Sequence, residues 1–183
     1  MRDPELVRRA HGRRSVETVR EVAPALDSDQ EVRWLAAAEL SDFDGVVALP
    51  GASDALAALS DAQRAIVTSG GRELARKRLL HVRLPVPAIL VAAEDVREGK
   101  PSPEGFLAAA SKLGVHPSRC IVIEDTPAGI QSARGAGCRV VALTTTFARA
   151  SLHNADVVVE SLADLQIIRG KEGIEVRSSF TTQ

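Results

Sequence analysis

Over residues 1–40 apolar positions recur at helical spacing. Val16, Val19, Val22 and Ala23, following Ser15, form one face of a helix stopped near Pro24, and Val32, Leu35, Ala36 and Leu40 mark a second helix over roughly Asp29 to Leu40. Phe43-Asp44-Gly45-Val46-Val47-Ala48-Leu49-Pro50-Gly51 ends in Pro-Gly punctuation, a change of structure. From about residue 52 the pattern becomes short, unbroken aliphatic runs at 65–67, 88–91, 120–123, 140–143 and 156–159. Unbroken runs of this length are the mark of strands buried on both faces of a parallel sheet. Helical stretches alternate with most of them, at Asp54–Leu59, Arg72–Leu80, Pro103–Leu113 and Ala128–Ala136. The expected fold is therefore α/β, a doubly wound parallel sheet preceded by helices, with a Gly-centred β-hairpin over 166–176 at the tail.

Composition narrows the class. The chain has 183 residues, 45% apolar and 26% charged, with a formal net charge of −1, the size and balance of one globular domain. Near-neutrality argues against nucleic acid as a partner, because phosphate binders carry a basic excess. No apolar stretch reaches the ~18–20 residues of a membrane span, and the charged N-terminus MRDPELVRRAHGRR lacks the apolar centre of a signal peptide. Cys120 and Cys138 have neither metal-site nor disulfide-framework spacing, so a cytoplasmic, reducing setting is expected.

In an open α/β sheet ligands bind where strands end and helices begin. Three polar clusters fall at such ends: Thr68-Ser69-Gly70, Gly99-Lys100-Pro101-Ser102-Pro103, and Glu124-Asp125-Thr126-Pro127-Ala128-Gly129. Each has a structural reading of its own. Thr68 and Ser69 suit a helix N-cap, Lys100 a solvated loop, and Asp125-Thr126-Pro127 a cap with proline at the helix start. Together they offer a hydroxyl with backbone N–H groups, a compact positive charge and hard carboxylate oxygens. That set suits a phosphate and Mg²⁺.

At these residues the chain resembles the haloacid dehalogenase-like hydrolases. Ile66-Val67-Thr68-Ser69-Gly70, Gly99-Lys100-Pro101-x-Pro103 and Ile121-Val122-Ile123-Glu124-Asp125-Thr126-Pro127-Ala128-Gly129-Ile130 match that family's second, third and fourth motifs, and Ala133-x-Gly135-Ala136-Gly137 fits downstream. More narrowly the chain is similar to helical-cap phosphatases of sugar and glycerol phosphates, through His11-Gly12-Arg13 leading into the cap and Ala48-Leu49-Pro50-Gly51-Ala52 leading out. The resemblance implies a partial helical cap at 1–47 and a Rossmann-like core at 48–183. It implies that Thr68, helped by Ser69 and Gly70, binds the transferring phosphoryl group, that Lys100 neutralises it, and that Asp125 with Glu124 holds Mg²⁺. Arg13 and Arg14 are cap candidates for contact with a small phosphorylated metabolite.

The family's nucleophile is an aspartate in an Asp-x-Asp-Gly-Thr segment ending the first strand, before the cap. Its first carboxylate attacks phosphorus and its second serves the leaving group and then water. Residues 1–10 do not contain it. Asp42-Phe43-Asp44-Gly45 fits the pattern formally, but the Ala-rich 34–41 before it reads as helix rather than buried strand, which makes it a polar linker. The expectation is an N-terminally truncated chain, a start codon placed too late, with its central strand absent and no activity alone. A non-catalytic relic that still binds phosphate or Mg²⁺, and a phosphomutase, are the alternatives. A dehalogenase, needing no metal, sits poorly with Glu124-Asp125, and a dinucleotide reductase would need Gly-x-Gly-x-x-Gly after a strand, whereas Gly135-Ala136-Gly137 precedes one.

Overall fold

The computed structural model describes residues 10–170 and 173–178. The range opens with α1 (Ser15–Val22) and α2 (Ser28–Ser41). Asp27 caps α2 by accepting the N–H groups of Asp29 at 3.0 Å and Gln30 at 3.2 Å, which starts the helix one residue ahead of Asp29. No residue of α2 is buried, and the helix is tied to α4 (Arg72–His81) by an Arg78–Glu39 ion pair at 3.2 Å. Phe43, just past the end of α2, stacks on His81 at 5.4 Å between ring centroids.

After α3 (Ala52–Ala57) the chain alternates β1 (Ile66–Val67), α4, β2 (Leu90–Val91), α5 (Glu104–Leu113), β3 (Ile121–Glu124), α6 (Pro127–Gly135), β4 (Arg139–Leu143) and β5 (Val157–Val159). It closes with the antiparallel hairpin of β6 (Leu165–Gly170) and β7 (Gly173–Ser178), the hairpin that the sequence pattern predicts over 166–176. Gly51 enters α3 at φ +83°, and a Cβ there would run into the backbone of Leu162 and Ala163. Only glycine lets α3 close onto that turn.

The fold is α/β with parallel strands, and the strands form two ribbons. In one, β1 pairs with β2, Ile66 opposite Leu90 and Val67 opposite Val91. In the other, β3 pairs with β4 and β4 with β5, Ile121 opposite Arg139 and Val141 opposite Val157. Among the described residues no strand joins β1 to β3. The runs at 65–67 and 88–91 pair over only two residues each.

The β3–β4–β5 ribbon is covered on both faces. Phe106, Val122, Ile130, Ala133, Val140, Ala142 and Leu152 pack on one side, and Val141, Leu143 and Val159, with Leu162 and Leu165, on the other. This explains the unbroken aliphatic runs, because neither face of β4 meets water. Arg139 donates its backbone N–H to the Cys120 carbonyl at 3.1 Å, which sets Cys120 opposite Cys138 at the start of the β3–β4 ladder. Burial, with Cys120 beside it, pushes the Cys138 thiol up to about 11. Iodoacetamide at pH 8 should therefore modify native Cys138 about a hundredfold more slowly than an unfolded thiol. Timed mass spectrometry checks this, and equal rates would contradict the packing. No helix among the described residues is long and apolar enough to cross a membrane.

Candidate active site

Thr68, Glu124 and Asp125 stand at the C-terminal ends of β1 and β3, and Lys100 lies in the loop between β2 and α5. All four line one cavity of about 900 Å³. The sequence-predicted clusters are thus brought together at the carboxyl ends of parallel strands, where this architecture places ligands.

Lys100 and Glu124 form the centre. Lys100 Nζ is ion-paired with Glu124 Oε1 and sits 5.2 Å from the centroid of the Phe106 ring. The two side chains are only 11% and 7% exposed. Glu124 Oε2 accepts the N–H groups of Asp125 at 2.8 Å and Thr126 at 2.9 Å, and the Thr126 hydroxyl at 3.0 Å. Burial drives the Glu124 carboxyl upward, but the Lys100 charge and these hydrogen bonds outweigh it and hold the group below the ordinary carboxylate range. Both oxygens are committed.

Asp125 is placed differently. Its Oδ2 accepts hydroxyl hydrogen bonds from Thr145, at 3.4 Å, and from Thr146. Thr126, next in the chain, caps α6 by accepting the Gly129 N–H at 3.0 Å, with Pro127 opening the helix. The same short motif therefore serves as a helix start and aims a carboxylate into the site. The two readings of Asp125-Thr126-Pro127 are not exclusive.

The remaining candidates have their polar groups engaged. The Thr68 hydroxyl accepts the Gly70 N–H at 3.1 Å, and the Ser69 hydroxyl donates to the Gly12 carbonyl at 2.8 Å. Arg13 is paired with Glu21. Arg14 bonds Glu17 Oε1 at 2.8 Å and donates to the carbonyls of Val96 at 3.2 Å and Arg97 at 2.9 Å, while Glu17 Oε1 accepts the Gly99 N–H at 2.9 Å. The start of α1 thereby clasps the loop that carries Lys100. Arg13 lines the large cavity and Arg14 does not.

Glu17, Thr145 and Thr146 are site neighbours that the sequence reading passed over. Thr144-Thr145-Thr146 directly follows β4, so the strand-end rule that selected the other clusters also marks it. Glu17 carries no comparable local signal, because its partner Gly99 lies 82 residues away. Asp42 and Asp44 fall outside the site. Asp42 Oδ1 accepts the Asp44 N–H at 2.8 Å in an exposed turn directly after α2, with no strand before it.

The donor set decides how a metal could be held. Mg²⁺ takes one or two carboxylates and fills its octahedron with water and substrate oxygens. Asp125 fits this role with a carboxylate that no cation among the described residues engages. Glu124 fits it less well, with Oε1 ion-paired to Lys100 and Oε2 accepting three hydrogen bonds. Among the described residues no group of three or more His, Cys, Asp or Glu converges on a metal position.

The family model for haloacid dehalogenase-like hydrolases matches residues 2–137. Hexitol phosphatase A of Escherichia coli is 36% identical over 168 residues, covering 89% of this chain and 78% of that protein. Glycerol-1-phosphate phosphohydrolase 2 of Saccharomyces cerevisiae is 32% identical over 178 residues, covering 91% and 68%. A crystal structure of a hydrolase from Pseudomonas syringae superposes with a TM-score of 0.77 at 26% identity, over 90% of this chain and 81% of that one. The chain belongs to the haloacid dehalogenase-like hydrolase family, in its phosphatase branch.

Proposed function

We propose that this site serves a Mg²⁺-dependent phosphomonoesterase of small sugar or polyol phosphates. The observation that carries the proposal is the buried Lys100 ammonium set beside Asp125 and Thr68 at the mouth of one cavity. The hexitol and glycerol phosphate chemistry of the relatives gives the substrate class its direction. On this reading residues 1–47 form a partial helical cap and 48–183 the catalytic core.

The residues divide the work as their contacts indicate. Thr68, with the N–H groups of the turn after it, binds phosphoryl oxygens. Lys100 neutralises charge as the phosphoryl group transfers, in a pocket where low exposure strengthens its field. Glu124 holds Lys100 in place and fixes the Asp125-Thr126 turn. Asp125 is the metal-holding carboxylate, and Mg²⁺ when bound supplies further charge neutralisation to the phosphoryl oxygens.

The nucleophile belongs to an Asp-x-Asp-Gly-Thr strand end. Its first aspartate oxygen bonds to phosphorus as the ester P–O bond breaks. The second aspartate gives its proton to the leaving oxygen, then removes one from the water that cleaves the acyl phosphate. Among the described residues no strand end carries that pair.

The test is a panel of phosphate esters offered, with and without Mg²⁺, to a form extended at its N-terminus by an apolar strand ending in Asp-x-Asp-Gly-Thr. Hexitol or glycerol phosphates should be hydrolysed only with Mg²⁺. Lys100→Ala should lower kcat by about 10²–10³-fold, the usual cost of removing a charge-stabilising donor. Silence toward every ester, with phosphate binding retained, would favour the non-catalytic relic instead.

A further inference from the structure

Between β2 and α5 the chain passes through residues 96–99, and side chains from two directions take up their peptide groups. From α5, Glu104 accepts the N–H groups of Arg97 at 3.1 Å and Glu98 at 3.0 Å. From the start of α1, Arg14 donates to the Val96 and Arg97 carbonyls and Glu17 accepts the Gly99 N–H, all between 2.9 and 3.2 Å. Ser102 closes the turn by donating its N–H to the Gly99 carbonyl at 2.9 Å.

The α1 side of this grip is a fitted contact rather than a surface ion pair. The Arg14 and Glu17 side chains are only 17% and 23% exposed. Arg14 Nε bonds Glu17 Oε1 at 2.8 Å, so one carboxylate oxygen meets both Arg14 and Gly99. A guanidinium can reach two successive carbonyls while its third nitrogen holds a carboxylate, which an ammonium cannot do. Position 99 has no room for a side chain, because a Cβ there would lie 2.8 Å from Arg14 Cγ and from both Glu17 oxygens. Gly99 is not among the positive-φ glycines, so contact and not backbone conformation excludes a larger residue.

Lys100 is the next residue. Its ammonium lies between Glu124 and the Phe106 ring, and neither contact fixes the backbone from which the side chain starts. A flexible four-carbon stem reaches a defined point only when its own Cα is placed. We propose that Arg14 and Glu17 are positioning residues for Lys100, holding the 96–99 backbone from which its ammonium reaches the site. Without Glu17 the Gly99 N–H and Arg14 Nε lose their shared acceptor, and the loop opens locally. That Lys100 serves a phosphoryl group rests on the phosphatase reading above, whereas its dependence on α1 does not.

The experiment acetylates the lysines of the 183-residue chain with succinimidyl acetate under native conditions and follows each residue by mass spectrometry. Lys77, paired with Glu73, and Lys112 are both exposed and serve as internal references. Arg14→Ala, Glu17→Ala and Gly99→Ala should each speed acetylation of Lys100 by about five- to tenfold and leave the references unchanged. Gly99→Ala acts from the loop and leaves α1 intact, which keeps the test decisive if an α1 variant does not fold. Glu17→Gln retains an acceptor and should label within about twofold of wild type. Glu17→Ala/Gly99→Ala should label more slowly than the product of the single effects, because both changes break one contact. Three results would overturn the proposal: unchanged Lys100 labelling in Glu17→Ala and Gly99→Ala, equal acceleration at Lys77 and Lys112, or a double variant that multiplies the single effects. Silence of the extended form toward every phosphate ester, with Lys100 labelling accelerated in these variants, would refute the phosphatase reading and leave the positioning intact. Turnover by that form with Lys100 labelling unmoved would do the reverse.

Discussion

Glu124→Gln is expected to destabilise the chain by about 3–5 kcal/mol, the usual consequence of leaving one partner of a buried ion pair uncompensated. Lys100 and Glu124 are both largely withdrawn from water, so removal of the carboxylate strands an ammonium that still pays for its desolvation. Lys100→Met should do comparable harm from the other side. The double variant Lys100→Met/Glu124→Gln should lose less than the sum of the single changes, which a urea-melt cycle measures directly. The effect depends on pH with a definite sign. The folded-state pKa of Glu124 lies below its unfolded value, near 4.5. Its contribution is therefore fully present above about pH 4.5 and is lost as pH falls through the folded value. The gap between wild type and Glu124→Gln should narrow as the melts are taken into that acid range. A gap that is constant with pH would mean that the pair is not what holds the site.

Gly129→Ala is the second large effect, and it runs against helix propensity. Replacing glycine with alanine inside a helix normally stabilises by up to about 1 kcal/mol. Gly129 lies in the first turn of α6, and a Cβ there would overlap the Glu124 carboxyl carbon and both its oxygens. The carboxylate must then leave its place, together with its bonds to Lys100, Asp125 and Thr126. We expect a loss of about 3 kcal/mol, at the upper end of overpacking costs. Gly135→Ala, on the same helix, is the control. Its Cβ would meet Pro103 Cβ at an ordinary 3.5 Å, so it should be neutral or slightly stabilising. Equal losses at the two positions would show that α6 tolerates no alanine, and the role given to Glu124 would have no support from this pair.

Much of this architecture is legible in the sequence because it is local. The aliphatic runs that end at Val91 and Leu143 are strands for the reason their composition gives, burial on both faces, while the run ending at Val67 is a strand whose Ile66 and Val67 stay half-buried. Thr126-Pro127 announces the start of α6, and the Ala-rich stretch before Asp42 forms the helix its composition predicts. What the sequence conceals is how the charges are spent. Nothing near Glu124 says that Lys100, 24 residues earlier, will take one of its oxygens while its own helix start takes the other. Nothing near Arg14 says that it will hold the carbonyls of residues 96 and 97. Pairings at such separations exist only once the chain has folded, and a motif read along the line cannot distinguish a ligand from a clamp.

These strand ends are proposed to form a phosphatase site. The most direct test is release of inorganic phosphate from a hexitol or glycerol phosphate in the presence of Mg²⁺, comparing the 183-residue chain with the form extended by Asp-x-Asp-Gly-Thr. Turnover is expected from the extended form alone, unchanged by Asp44→Asn. Turnover by the unextended chain that disappears on Asp44→Asn would contradict it.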